Sequence, residues 1–281
     1  NSRPANGWGE RATQARALGT GLLGDLIPGR KFPFPKSLYA VEDHLRLFVQ
    51  EKPNALVLDF FAGSGTTAHA VARLNRQDGG YRTSISVTNN EVSEIEARAL
   101  NQRGFFFGDL EFEEQGICRA VTIPRIRSAL EGKRPDGHDV EGEYKWPDEF
   151  PMAEGFDENL VGFDLAYADP DEIDVGSQFS AIVPVLWLTA GAGGSLPRVL
   201  ETAEPWFFPE TSPFAVLLDE DCFTDFLTCV SKRPDLTHLW LATDSEPAFI
   251  RMRSRIPAGL VVGMLYRDYL RNFRLNVAIA R

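Results

Sequence analysis

One strand and the glycine-rich turn after it constrain the fold of this chain more than any other feature. The apolar run 55–58 leads directly into Asp59, as a buried strand does where it reaches the carboxyl edge of a parallel sheet. Gly63 and Gly65 then allow a tight turn in which the backbone can approach a ligand without an intervening Cβ. The following segment 68–74 has helical composition, and a ligand over the turn would meet free N–H groups at the helix start. The pattern predicts an α/β fold with a ligand site at this turn.

The same turn lacks the fingerprints of nucleotide-binding loops, because no lysine follows Gly65 and no third glycine stands at the required place. The string Asp-Phe-Phe-Ala-Gly-Ser-Gly-Thr-Thr at 59–67 instead closely resembles motif I of the amino-methylating DNA methyltransferases. In that family the turn wraps S-adenosylmethionine, and an acid at its start suits the positive charges of the cofactor. The alternative is a generic α/β turn without a ligand. The resemblance implies that the cofactor-binding residues here are Asp59, Phe60, Phe61, Ala62, Gly63, Ser64, Gly65, Thr66 and Thr67.

A second informative stretch, Phe-Pro-Phe-Pro-Lys-Ser at 32–37, precedes the first. Its prolines favour an extended entry into a helix. The apolar face of that helix repeats every three to four residues, at Leu38, Val41, Leu45 and Phe48. The stretch resembles the family's motif X, whose position before motif I is typical of the β-class enzymes, including the methylation subunits of type III restriction–modification systems. This resemblance implies that Phe34, Lys36 and Ser37 lie at the methionine end of the cofactor.

Other candidates follow the second strand, which the alternating segment 83–88 predicts. The segment Asn89-Asn90-Glu91 ends it, and an acid at this position can accept hydrogen bonds from a ribose, although a solvated strand-end acid is the alternative. Asp109 is an open candidate for contact with the adenine amine. Arg125 and Arg127 could touch phosphates, and a solvated basic face is the favoured interpretation of both.

Composition bounds the class of protein. The chain has 281 residues, of which 43% are hydrophobic, and this length suggests one large or two modest domains of a soluble globular protein. No apolar run is long enough for a membrane span, and no signal peptide opens the chain. The three cysteines have no metal-binding spacing, so we expect no metal site and a reducing, cytoplasmic location.

The charge is unevenly distributed. Residues 1–130 carry 16 Lys/Arg and 14 Asp/Glu, whereas residues 131–281 carry 13 Lys/Arg and 26 Asp/Glu. An acidic surface is a poor match for a phosphate backbone, so a DNA substrate would bind mostly elsewhere.

Three segments are predicted. Residues 1–130 form the cofactor-binding methyltransferase region, 131–158 a linker or β-hairpin excursion, and 159–281 an accessory α/β domain. The fold class is α/β, a Rossmann-like S-adenosylmethionine-dependent methyltransferase half-domain followed by a smaller α/β domain. In the second domain, predicted strands at 159–165, 214–218, 238–243 and 259–265 alternate with helices at 179–188, 222–230, 246–255 and 268–273.

One family motif is missing. Amino-methylating enzymes hold the extruded base with an Asp/Asn-Pro-Pro-Tyr/Phe tetrapeptide, and no such string occurs in this chain. In the β-class order it would precede motif X, so the resemblance implies the carboxyl-terminal portion of a longer adenine-specific DNA methyltransferase. We expect this chain to bind S-adenosylmethionine, to contain no catalytic residue and to be inactive alone. DNA contacted through the full-length protein, and a restriction subunit or homodimer partner, are the expected partners.

Two other functions remain open from sequence. The acidic second domain could be a non-catalytic module that docks a restriction or defence partner. A metal-dependent nuclease could use Asp219, Asp221 and Asp244, which follow predicted strands. Acids in the turns of an acidic protein explain these three residues better, since no His or Lys accompanies them.

Overall fold

The computed structural model describes residues 17–30, 32–145, 147–165, 179–199 and 204–265. The chain divides into two compact units, with the boundary between Phe163 and Asp164. Across the described ranges, no helix has both the length and the apolar character needed to span a bilayer.

The first unit is a helix-rich α/β assembly. Its helices are α1 (Leu22–Leu26), α2 (Leu38–Val49), α3 (Thr66–Asp78), α4 (Glu94–Gln102), α5 (Leu110–Glu113) and α6 (Ile123–Glu131). Its strands β1 (Leu56–Asp59) and β2 (Thr83–Ser86) pair in parallel. π-helical turns at Ala17–Gly21 and Cys118–Thr122 precede α1 and α6. The predicted strands and helices around the glycine turn are therefore confirmed, with small shifts at their ends.

Local sequence explains the ends of the helices. Gly65 and Gly79 flank α3 in the left-handed conformation, with φ of 76° and 68°. A residue with a Cβ adopts this conformation at a cost, so glycine at the second position ends the helix cleanly. Ser93 begins α4 by accepting the Glu96 N–H while donating to the Glu96 carboxylate, which satisfies an otherwise free donor of the first turn.

The segment after α6 belongs to the core of the first unit. The segment 131–158, predicted as a linker or hairpin excursion, contains isolated antiparallel bridges from Lys133 to Asp139 and from Glu143 to Pro151. Its buried side chains are Val140, Tyr144, Phe150, Met152 and Phe156, and they pack with residues of α1, α2 and α3. A linker would not bury five large side chains, so the segment is structural.

One face of the small sheet of this unit is open. Leu56 is 63% exposed, Leu58 49% and Ile85 42%, and they alternate with half-buried residues along both strands. Strand residues alternate between faces, so these three share one face. Within the described ranges neither strand has a further neighbour. Parallel sheets are normally covered on both faces, which makes this exposure unusual.

The described residues of the second unit form a layered α/β fold. Its helices are α7 (Phe179–Thr189), α8 (Phe223–Val230) and α9 (Glu246–Arg253), and its strands are β3 (Trp206–Phe207), β4 (Phe214–Leu217), β5 (His238–Leu241) and β6 (Val261–Met264). The strands lie in sequence order, with β3 antiparallel to β4 and the other pairs parallel. The predicted strands of 214–264 therefore form parallel neighbours, and β3, which the sequence pattern did not predict, makes the sheet mixed.

Both faces of this second sheet are covered. Phe214, Val216 and Trp240 pack in one cluster with residues of α7. Ala215, Leu217, Leu239 and Leu241 pack in another with residues of α8 and α9. Alternate residues of the strands therefore pack into two separate hydrophobic cores, one on each face of the sheet.

One predicted strand is wrong, and one predicted helix lies outside the described residues. The segment 159–165 has strand-like composition but forms no strand, and Leu165 is 93% exposed. Strand propensity depends on a neighbouring strand to pair with, and this segment belongs to neither of the sheets formed by the described residues. The short helix predicted at 268–273 falls beyond residue 265, the last of the described residues.

Candidate functional site

The turn after β1 is tightly closed. Gly63 and Gly65 have positive φ of 51° and 76°, and the Gly65 N–H donates to the Ala62 carbonyl at 2.8 Å. The strand ladder also continues into the turn, because the Val87 N–H donates to the Asp59 carbonyl at 2.8 Å and the Ala62 N–H to the Val87 carbonyl at 3.1 Å. The ends of both strands are therefore held side by side at the turn.

Asp59 joins the end of β1 to the start of α3. One carboxylate oxygen accepts the Phe61 N–H at 3.1 Å, and the other accepts the Thr67 hydroxyl at 2.6 Å. Each carboxylate oxygen has two lone pairs, so both oxygens can still accept from a ligand. The side chain can thus shape the turn and contact a cation at the same time.

The side chains of the turn point to two different environments. Ala62, Ser64 and Thr66 are at most 7% exposed, and the two hydroxyls lie 3.2 Å apart inside the protein. Phe60 and Phe61 are 63% and 93% exposed. Polar groups of the turn therefore contact the protein interior, while its aromatic side chains are available to a ligand or to another surface.

The turn rests on α6 and on the π-helical turn before it. The Thr122 hydroxyl donates to the Gly63 carbonyl at 2.5 Å. The Arg125 guanidinium donates to the Ser64 carbonyl at 3.0 Å and to the Thr66 hydroxyl at 2.8 Å. Burial lowers the pKa of Arg125 to about 10. Residues 63, 64 and 66 of the turn are thus held by hydrogen bonds from Thr122 and Arg125.

The sequence interpretation of Arg125 was wrong. Its side chain is neither a phosphate ligand nor part of a solvated face, because it is only 2% exposed. Arg127, by contrast, is 62% exposed and lies 3.9 Å from Glu131. Helical periodicity would have separated them, since 122, 125, 126 and 129 share one face at the spacing of an amphipathic helix.

A buried polar cluster lies along the inner face of α3. His69 Nε2 is 2.8 Å from the Tyr144 hydroxyl, and the Arg73 guanidinium donates to Glu42 at 2.6 Å. Burial lowers the pKa of His69 well below its usual value, and the positive charges of Arg125 and Arg73 lower it further. His69 is therefore neutral in the folded protein at neutral pH. Burial also raises the pKa of the Tyr144 hydroxyl, which stays protonated.

The motif X segment meets the turn through a residue that was not among the predicted site residues. A Cβ on Gly63 would lie 3.0 Å from the tip of the Phe32 ring, so this ring packs on the bare glycine. Phe34 is 92% exposed with a φ of 55°, and Lys36 is exposed. Ser37 is half-buried at the start of α2 and makes no side-chain capping bond. The first phenylalanine of the motif was the available sequence signal for this contact.

Glu91 lies in a loop that is tied to the π-helical turn. Its side chain is exposed, and its backbone carbonyl accepts the Ile117 N–H at 3.0 Å. The neighbouring Asn90 accepts the Arg119 N–H at 3.1 Å and donates to the Glu113 carbonyl at 2.7 Å. The exposed Glu91 carboxylate accepts a long hydrogen bond of 3.4 Å from the Asn89 amide, and its remaining lone pairs can still accept from a ligand in the loop after the second strand.

Asp109 has a local structural role. It precedes α5, and its carboxylate accepts the Phe106 N–H at 2.7 Å. This bond closes the turn between 106 and 109.

The acids of the second unit do not converge. Asp219, Asp221 and Asp244 are exposed, and Asp219 accepts the Asp221 N–H at 3.0 Å at the start of a short 3₁₀ helix (Glu220–Cys222). Open parallel sheets bind ligands where the strand order reverses, and β4, β5 and β6 follow one another without a reversal. No group of three or more potential metal ligands is found among the described residues.

Comparison with known proteins places the turn in a matched segment. Residues 5–115 match the family model described as DNA methylase. The Type II methyltransferase M.KpnI of Klebsiella pneumoniae is 44% identical over 104 residues, which is 32% of this chain and 24% of that protein. The EcoPI Mod subunit of Escherichia phage P1, a type III restriction-modification enzyme subunit, is 44% identical over 70 residues, 25% of this chain and 10% of that protein. The corresponding StyLTI Mod subunit of Salmonella typhimurium is 47% identical over 64 residues, 23% of this chain and 10% of that protein.

The matched stretches are short against the full relatives, since this chain spans only 10% to 24% of their lengths. The family match includes both the motif X segment and the glycine turn, and it ends before α6. Two sequence motifs, their meeting at Gly63 and the matches to known proteins agree. Residues 5–115 match the DNA methylase family model, and the predicted resemblance to the amino-methylating DNA methyltransferases, Mod subunits included, is confirmed.

Proposed function

We propose that this chain is the cofactor-binding portion of a site-specific DNA methyltransferase that transfers a methyl group from S-adenosylmethionine to the exocyclic amine of adenine. The observation that carries the proposal is the closed turn at the carboxyl end of β1. It combines two glycines at positive φ with an acid that keeps acceptor capacity after its two bonds within the turn.

The residues of the turn fit the chemistry of this cofactor. The Asp59 carboxylate would accept from the ammonium of the methionine end, and it offsets the positive charge of the sulfonium. The exposed rings of Phe60 and Phe61 offer apolar surface for the adenine. The exposed Glu91 carboxylate at the end of the second strand would accept from ribose hydroxyls. When bound, the cofactor would supply the electrophilic methyl group, and the residues of this chain would bind and orient it.

The chain supplies only part of the proposed enzyme. The tetrapeptide that holds the target base in amino-methylating enzymes does not occur in these 281 residues, so this chain itself is expected to methylate nothing. The complete protein would contact the DNA and select the site. A restriction subunit or a second copy of the methyltransferase is the proposed protein partner, and the cytoplasm is the proposed location.

The open face of the first sheet supports this view. Leu56, Leu58 and Ile85 expose apolar surface on a parallel sheet, a kind of sheet that is normally buried on both sides. We propose that the first unit is half of a Rossmann-like methyltransferase domain and that further strands and helices of the complete enzyme cover this face. A longer form of the protein should then bind the apolar dye ANS less than this chain does.

The test of the cofactor proposal is a calorimetric titration of this chain with S-adenosylmethionine, together with two matched variants. Asp59→Asn keeps the shape and an acceptor for the Phe61 N–H but removes the charge. Thr67→Val removes the hydroxyl bond to Asp59 and leaves the charge in place. We expect Asp59→Asn to raise the dissociation constant about tenfold or more and Thr67→Val to have a smaller effect, since a charged hydrogen bond contributes more than a neutral one.

Equal affinity for the wild type and Asp59→Asn would contradict the assigned role of the carboxylate. The cofactor proposal as a whole would be overturned if neither this chain nor the longer form bound S-adenosylmethionine. The titration should reach cofactor concentrations about a hundred times the micromolar KM values that are common for enzymes.

A further inference from the structure

The support beneath the glycine turn comes from residues outside the family match. The match ends at residue 115, whereas Thr122 and Arg125 lie beyond it. These two side chains donate to the carbonyls of Gly63 and Ser64, and Arg125 also donates to the Thr66 hydroxyl. The segment 116–131 therefore contacts the candidate site from the protein side.

We propose that Arg125 is a positioning residue, which holds the turn 63–67 in its ligand-ready conformation through Ser64 and Thr66 without touching the ligand. That the turn binds a cofactor rests on the proposed function. That Arg125 fixes the shape of the turn rests on the contacts alone.

The geometry favours arginine at this position. One guanidinium nitrogen bonds both the Ser64 carbonyl and the Thr66 hydroxyl, at 3.0 and 2.8 Å, and these acceptors flank the left-handed Gly65. The two N–H bonds of this nitrogen lie in the guanidinium plane at a fixed angle, so they hold the two acceptors in fixed relative positions, which a freely rotating lysine ammonium does not. Because Gly65 can adopt many backbone conformations, acceptors clamped on both sides of it limit its freedom.

In addition to the hydrogen bonds of Arg125, close packing against Ile126 restricts the turn. A Cβ on Gly65 would lie 2.8 Å from Cγ1 and 2.9 Å from Cδ1 of Ile126, the residue after Arg125. The backbone of the turn therefore lies directly against α6. Displacement of this helix would move the turn with it.

The burial of the charged Arg125 side chain is energetically unfavourable, and an apolar side chain could fill the same space without this cost. The side chain is 2% exposed, its Nε makes no hydrogen bond with any described residue, and burial shifts its pKa downward. A buried cation near the start of α3 also opposes the positive end of the helix dipole. In some proteins buried charged groups specify one conformation, and here the hydrogen bonds of Arg125 fix the conformation of the turn.

The π-helical turn before α6 extends the support to the second strand. The Ile117 N–H donates to the Glu91 carbonyl, and the Arg119 N–H donates to Asn90. The same short segment thus holds the loops after β1 and after β2. Residues 117–126 therefore make hydrogen bonds to both candidate ligand-binding loops and fix their positions relative to each other.

The test is hydrogen exchange of this chain without cofactor, measured by mass spectrometry, on Arg125→Met and Thr122→Val. We expect Arg125→Met to raise exchange of the amides at 63–67 about tenfold to a hundredfold, the range for losing a charge-assisted hydrogen bond. Thr122→Val removes the hydroxyl bonds to the Gly63 and Ile117 carbonyls, of which only the first reaches the turn, and both are neutral, so we expect a smaller rise in the same amides. If Arg125→Met fails to fold, Thr122→Val and Arg125→Lys decide the matter, the latter with an intermediate rise.

Arg82→Met is the matched control. Arg82 is also buried, at 3% exposed, but it donates to the Val49 and Gln50 carbonyls and to Asp78, at the opposite end of β2 from the turn. We expect it to raise exchange around 49–50 and 78–82 and to leave 63–67 unchanged. Unaltered exchange at 63–67 in Arg125→Met, or a uniform rise across α2 and α3, would overturn the positioning role.

A second readout links the clamp to the proposed function. The dissociation constant for S-adenosylmethionine should rise in Arg125→Met by the factor by which the fraction of molecules with a closed turn falls, and it should stay unchanged in Arg82→Met. If neither the wild-type chain nor the longer form binds cofactor while exchange at 63–67 responds as expected, the proposed function fails and the positioning role stands. Loss of affinity without any change in exchange would contradict the positioning role.

Discussion

The two units of this chain use their parallel strands in opposite ways. All four residues of β4 are buried, and the sheet around it has a hydrophobic cluster on each face. In β1, by contrast, Leu56 and Leu58 are 63% and 49% exposed, although the strand is also mostly apolar. Similar strand sequences thus reach opposite burial, because a strand is buried only when other elements cover it.

The interiors of the two units also differ, because the first unit buries more polar side chains than the second. Among the described residues, ten of the twelve buried polar or charged side chains belong to the first unit. They include the ion pair of Glu42 with Arg73, and Arg125 beneath the turn. The second unit is stabilised mainly by apolar contacts, whereas the first unit places polar groups where they fix loops. This difference separates a unit built for stability from one built around a site.

The largest expected effect is in the ion pair of the first unit. Glu42→Ala leaves the Arg73 guanidinium buried without its carboxylate, and such a loss costs about 3–5 kcal/mol. Replacing both partners, as in Glu42→Gln with Arg73→Met, should restore part of the stability. Urea unfolding with hydrogen exchange by mass spectrometry resolves the two units, and the second unit should not respond.

A paired truncation tests the sheets directly. Leu241→Ala, in the largely buried β5, should destabilise the second unit by about 2–5 kcal/mol, while Leu58→Ala in β1 should cost less than about 1 kcal/mol. The measurement is the urea midpoint of each unit. Equal losses at the two positions would show that the face of β1 is covered in solution and would remove the main contrast between the sheets.

Acid should destabilise the first unit through His69. Its pKa is lowered in the folded state, so below the unfolded value of about 6.5 the unfolded chain binds the extra proton and stability falls. The expected slope between about pH 6.5 and 5 is up to about 1.4 kcal/mol per pH unit for this residue. His69→Gln should flatten it, as thermal unfolding at several pH values would show. Burial also lowers the pKa of His238 in the second unit, so His238→Gln is the matched variant.

Helix caps should show the smallest effects, and here the units should agree. Ser93 accepts the Glu96 N–H in the first unit, and Ser245 accepts the Ala248 N–H in the second, both at 3.3 Å. Replacing either serine by alanine should cost about 1 kcal/mol. A difference between them much larger than this, seen by thermal unfolding, would mean that the contrast between the units extends beyond their sheets and interiors.

Local patterns predicted much of the secondary structure. The strand before Asp59, the helices around it and the alternating elements of 214–264 all follow from apolar periodicity and glycine positions. The segment 159–165 shows the limit of such patterns, since its composition predicts a strand that the structure does not form. A strand requires a neighbour, and a neighbour is a property of the whole fold.

The site shows the same division. The sequence by itself determined the glycine turn, its acid and the order of the two motifs, because these depend on backbone conformations that only certain residues permit. Only the tertiary structure decided that Phe32 packs on Gly63 and that Arg125 lies beneath the turn. Those contacts join residues about 30 and 60 positions apart, and their pairing follows from how helices pack, which no local pattern encodes.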